Sequence, residues 1–149
     1  MTLKERLADD LRAAMKGGDK ARTSVVRMVT ASIKNREIEK RGALEDPEVV
    51  QVLRSACKQR NESIEQFRAG KREDLAQAEE AELKILEEYL PASLPADELR
   101  REAHAAIAAV GATSARDLGK VMSHLMPAIA GRADGKAVNA MVRELLAGG

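Results

Sequence analysis

Apolar residues in this chain recur every three or four positions, and that spacing constrains the fold more than any other feature. Leu3, Leu7, Leu11 and Met15 fall on one helical stripe. Val25, Val26, Met28, Val29 and Ile33 form a second, and Val49, Val50, Leu53, Cys57, Ile64 and Phe67 a third. Leu75, Leu83, Leu86, Tyr89 and Leu90 continue the pattern. Strand formers are scarce, whereas alanine, the best helix former, occurs 26 times in 149 residues. The spacing and the composition together predict an all-α fold.

Cap and stop signals divide these stripes into helices. Thr2 and Glu5 make a T-x-x-E capping box, and Gly17-Gly18 ends the first helix. Asp19 is placed to cap a second helix that ends near Gly42. Asp46-Pro47 reads as an N-cap followed by proline, opening a third helix that runs to Gly70. A fourth is expected from about Arg72 to Leu90. The segment PASLP, 91–95, has two prolines in five residues and reads as a hinge. Three shorter helices follow: one over about 95–110, one after Ser114 to about Ala130, and one over about 134–146. Pro127 is expected to bend or break the second of these. The expectation is an N-terminal domain of about four helices, 1–92, and a three-helix tail domain, 93–149.

Charge separates these regions. Residues 1–42 carry a net +5, 43–99 a net −7 and 100–149 a net +3, although the whole chain is only +1. Two readings stay open: the basic ends complement the acidic middle within the molecule, or one or both ends meet phosphate. Phe67 and Tyr89 are the only aromatic residues, too few for a platform on which single-stranded bases stack. No run of about 18 apolar residues occurs, so no membrane span is expected. The start, MTLKERLADD, is too charged for a signal peptide, and a soluble cytoplasmic monomer is the expectation.

Little in the chain points to catalysis. One cysteine excludes an intramolecular disulfide, and Cys57 lies on an apolar stripe where it reads as a small core residue. His104 and His124 have no ligand-spaced partners and read as structural. Glu79, Glu80, Glu82, Glu87 and Glu88 read as a solvated helix face. Neither G-x-x-x-x-G-K-[ST] nor G-x-G-x-x-G occurs, and no cofactor or metal is expected.

Two basic constellations remain. Arg27, Lys34 and Arg41 are spaced by seven on the second helix, beside Asn35, Arg36 and Lys40, and can track a phosphate backbone. The second is GRADGK, 131–136, followed by Asn139 and Arg143. Asp134 or Ala133 would cap the last helix, leaving Arg132 and Lys136 beside exposed backbone N–H groups that favour anions. Gly119-Lys120 is expected to pack near this turn. A plain capped turn and a solvated face are the structural alternatives.

Three runs carry a family resemblance: SIKNREIEKRG (32–42), KQRNESIEQFRAGKREDLAQAEEAELKILEEYLP (58–91) and DLGKVMSHLMPAIAGRADGKAVNAMVREL (117–145). In this order they resemble the GatB/YqeY family, specifically its small free-standing YqeY-like proteins. The resemblance implies a larger N-terminal helical domain and a three-helix tail. That tail is similar to the end of the GatB component of glutamine-dependent tRNA amidotransferases, which contacts tRNA outside the anticodon. The motif positions are Gly119, Lys120, Val121, Met122, Gly131, Ala133, Asp134, Val138 and Asn139. The catalytic domain of that enzyme has no counterpart here. The resemblance therefore carries a label of carbon–nitrogen ligase activity with glutamine as amido-N-donor, while the chain is expected to be at most an accessory. It points to tRNA as partner, and to an amidotransferase or aminoacyl-tRNA synthetase as a further one; together with the two basic constellations, the expected RNA contacts are Lys120, Arg132, Lys136, Asn139, Arg143, Arg27, Lys34 and Arg41. The other class of reading is a helical protein-interaction module that docks on a translation factor or synthetase without touching RNA.

Overall fold

The structure, a computed structural model, describes residues 1–148 and is all-α. Helices α1 (Leu3–Gly17), α2 (Lys20–Lys40), α3 (Asp46–Ala69) and α4 (Glu73–Glu87) are followed by α5 (Ala96–Val110), α6 (Leu118–Ile129) and α7 (Gly135–Gly148). A 3₁₀ turn, Ala115–Asp117, leads into α6. The chain divides into two compact units, Met1–Leu90 and Pro91–Gly149.

In the N-terminal unit the local signals act as the sequence predicts. Thr2 Oγ1 accepts the Glu5 N–H at 3.2 Å, and the Glu5 carboxylate accepts the Thr2 N–H at 3.1 Å. Gly18 takes the left-handed conformation that ends α1 (φ +72°), where a side chain would be strained. Asp19 then caps α2 by accepting the Arg22 N–H. The core lies where the apolar stripes meet: Leu7, Val25, Val26, Val29, Ile33, Leu53, Leu86 and Tyr89 are buried together. Cys57 is part of this cluster, and burial pushes its thiol pKa up, away from the thiolate form.

Three expectations shift. Asp46 does not cap α3; Glu45 precedes the helix, and the Asp46 carboxylate accepts the Leu3 N–H at 3.0 Å, serving the start of α1. Helix α4 ends at Glu87, three residues early, because Tyr89 turns into the core through N–H bonds from Tyr89 to Leu86 and from Leu90 to Glu87. The acidic residues of α4 are not merely solvated. Glu79 and Glu82 hold Arg60 of α3 at 3.3 and 2.8 Å, and Glu80 holds Arg68.

In the C-terminal unit, Leu99, Ala103, Ala106, Val121, Leu125, Ile129, Val138, Val142 and Leu146 bury one face of each helix. Ser114 Oγ accepts the Arg116 N–H and Asp117 reaches back to the Thr113 N–H at 2.9 Å, starting the 3₁₀ turn. Pro127 does not break α6, which continues to Ile129. Ala130 and Gly131 then both take left-handed backbone, φ +52° and +76°, and end the helix just before α7.

Candidate nucleic-acid interface

Helix α2 buries Val25, Val26, Val29 and Ile33, so its opposite side faces outward. Lys20, Ser24, Arg27, Ala31, Lys34 and Ile38 are all exposed there. At about 100° per residue they lie within about 40° of one line. None is acidic. Lys20 and Arg27 form no ion pair among the described residues, and the Arg27 guanidinium rests against Met15 Sδ at 3.7 Å. Two carboxylates flank the row: Asp19, which accepts the Arg22 N–H, and Glu37, which accepts from Lys4 Nζ at 2.5 Å and from the Leu44 N–H at 2.9 Å. Lys4 and the Leu44 N–H hold the Glu37 pKa below the usual range, with a smaller contribution from Lys34. Two other basic groups of α2 are occupied: Arg22 pairs with Glu88 at 2.7 Å and Lys40 with Glu48 at 2.6 Å.

Arg41 does not extend the row as a helical residue. It sits just past α2 with φ +61°, exposed at the helix end, because the chain must turn there toward α3. The spacing of seven therefore holds for Arg27 and Lys34 and fails for Arg41.

The tail residues separate into two groups. Lys136 and Arg143 are exposed, seven residues apart on α7, with the half-buried Asn139 between them. Asp134 precedes α7, and its carbonyl accepts the Val138 N–H. Arg132 is tied into the unit: its Nε donates to the Ala92 carbonyl at 3.3 Å, and its own carbonyl accepts the Leu94 N–H at 2.8 Å. It thus fastens segment 91–94 to the α6–α7 turn. Lys120 does not lie near that turn. It is the third residue of α6, about 15 Å along the axis from Ala130.

A further polar cluster was not visible from spacing. The Tyr89 hydroxyl donates to Asp10 Oδ2 at 2.6 Å and accepts from Arg22 Nη1 at 3.3 Å. Arg6 lies over the Tyr89 ring, 4.7 Å from its centre, and its Nη2 donates to the Glu88 carbonyl. Burial, then the Asp10 carboxylate, raises the Tyr89 pKa. The partners are 67 to 82 residues apart in the chain; the one signal was a lone tyrosine in the run EEYLP. The cluster pins the end of the N-terminal unit. It has no free nucleophile.

Among the described residues no group of three or more His, Cys, Asp or Glu is arranged to hold a metal, and no helix is long and apolar enough to cross a membrane. Curated relatives share the name "Altered inheritance of mitochondria protein 41, mitochondrial". The Pyrenophora tritici-repentis protein is 30% identical over 95% of this chain and 79% of its own length. The Eremothecium gossypii protein is 34% identical over the same shares. The Kluyveromyces lactis protein is 39% identical over 56% of this chain and 45% of its own. These mitochondrial names overturn the cytoplasmic expectation, which rested on charge and hydropathy, properties that do not distinguish one aqueous compartment from another. The YqeY-like family model matches residues 4–146, nearly the whole of the described structure, and the chain belongs to that family.

Proposed function

We propose that this YqeY-like chain is a tRNA-binding accessory protein that positions RNA and leaves chemistry to a partner such as an amidotransferase or a synthetase. The observation that carries the reading is the outer face of α2, where Lys20, Arg27 and Lys34 stand exposed in one row without a carboxylate among them. Unpaired cations on a rigid helix release counterions from a phosphate backbone when they meet it. The exposed Lys136 and Arg143 of α7, with Asn139 between them, are a second contact, and Arg132 retains donors beyond the one given to Ala92. The similarity of the tail to that of the amidotransferase component supports tRNA over other anions.

Filter binding of the purified chain to total tRNA at two salt concentrations tests this reading. Binding that weakens steeply with salt is the expected result, and no binding at low salt contradicts it. The alternative of a protein-docking module draws on Ile38, 74% exposed beside a shallow groove lined by Lys4, Lys34, Glu37, Gly42 and Ala43. Salt-insensitive capture of a translation factor with no RNA binding would favour it.

A further inference from the structure

Resting on that RNA reading, we propose that the outer face of α2 docks lengthwise on a continuous A-form RNA double helix through its sugar–phosphate backbone. On this view a plain stem is a sufficient ligand, and a single strand is not.

The row has the form such a ligand requires. Lys20, Arg27 and Lys34 are seven residues apart, about 10.5 Å per interval and about 21 Å in all along the helix axis. A straight row of that length is matched by phosphates held in regular order, as in a stiff duplex. Between the cations stand Ser24 and Ala31, both small and exposed. They let an RNA backbone approach the helix surface while the longer side chains reach to its flanks. The Ser24 hydroxyl, with exposed Asn35 close to the row, offers partners for ribose 2′-hydroxyls, which line the wide, shallow minor groove of A-form RNA. The half-buried Thr23 and Thr30 donate their hydroxyl protons back to Asp19 and Val26 and keep acceptor capacity.

Other anionic partners fit less well. Single strands are held by stacking on aromatic side chains. Tyr89 is only 3% exposed and engaged by Asp10 and Arg22, and Phe67 is half-buried on α3. An anionic membrane surface binds a helix that inserts its apolar face. The apolar face of α2 is occupied in the core, and Ile38 is the one large apolar side chain in the exposed row.

Fluorescence anisotropy of the full chain tests the proposal with four labelled probes: an RNA stem of about 12 base pairs without loops, the DNA duplex of the same sequence, one RNA strand alone, and vesicles containing phosphatidylserine. The stem should bind about tenfold or more tighter than the strand and tighter than the DNA. Arg27→Ala with Lys34→Ala should weaken stem binding about tenfold or more while circular dichroism stays helical. If tRNA binds but the single strand equals or exceeds the stem, the duplex inference fails and the RNA reading stands. DNA binding as tight as the RNA stem overturns the A-form assignment. If neither tRNA nor the stem binds, both readings fail, and vesicle binding in that case assigns the face to a membrane.

Discussion

Residues 1–90 and 91–148 are both helical, but polar contacts contribute very differently to them. The N-terminal unit combines its apolar core with ion pairs between helices: Arg60 with Glu79 and Glu82, Arg22 with Glu88, and Lys4 with Glu37. The C-terminal unit is closed by aliphatic side chains, and its ion pair Arg101 with Asp97 is exposed on a single helix. The difference teaches how to read a basic residue. In the N-terminal unit several cations are held by carboxylates of other helices, whereas Lys20, Arg27 and Lys34 stand exposed in one row with no acidic residue among them.

The largest expected effects test whether the two units are independently stable. Leu53 and Leu125 are both completely buried, one in each cluster. Leu→Ala at such sites costs about 2–5 kcal/mol. Leu53→Ala should lower the unfolding transition of residues 1–90, and Leu125→Ala that of the tail, when hydrogen exchange reports on each unit. A single transition lowered equally by both variants would contradict independent units.

Tyr89→Phe should cost about 1 kcal/mol, confined to the N-terminal unit, because it removes one hydrogen-bonded hydroxyl and leaves Asp10 half-buried. Urea unfolding checks the size. A loss above about 3 kcal/mol would exceed what one bond explains.

Acid should separate the units more gently. The carboxyl pKa values of Glu37, Glu48 and Asp74 in the N-terminal unit are lowered, chiefly by hydrogen bonds from Lys4, Lys40 and Arg72 respectively, and among the described tail residues only the Asp117 carboxyl is similarly lowered, by the Thr113 N–H. A lowered carboxyl pKa contributes stability above its ordinary value and loses it as pH falls through the lowered one. Below the ordinary values of 4.5 for Glu and 3.8 for Asp, the N-terminal unit should therefore lose more stability than the tail. Glu37→Gln should flatten that acid limb, as followed by circular dichroism. An unchanged limb would remove Glu37 from the account.

The smallest effect concerns the connection. Limited proteolysis should cut first within 91–95, and Arg132→Ala should speed the cut by releasing Ala92 and loosening Leu94. Initial cuts inside 47–69 would count against the division of the chain.

Legibility followed the distance between partners. Thr2, Gly18 and Asp19 could be assigned from sequence because cap partners lie within one helical turn. Asp46 could not, because it serves Leu3, 43 residues away. The Glu79–Arg60 and Tyr89–Asp10 contacts were hidden for the same reason, since charge pattern alone does not say which helix a carboxylate faces. The same rule governs the candidate site. Arg27 and Lys34 were readable from helical period, whereas the tie of Arg132 to Ala92 spans 40 residues and needs the fold. Arg41 was misplaced by a single left-handed residue at the helix end.

The central claim is that the outer face of α2 contacts RNA phosphate, and the salt dependence of tRNA binding tests it most directly. Each lost phosphate contact should reduce the slope of log K against log salt by about 0.7–0.9. Arg27→Ala with Lys34→Ala should therefore reduce the slope by about 1.4–1.8, similarly for different tRNAs, because phosphate contacts carry no sequence information. Arg132→Ala with Lys136→Ala, measured alongside, reports the tail contribution. A slope unchanged by the α2 pair would contradict the account, and a loss confined to the tail pair would move the RNA contact to the start of α7.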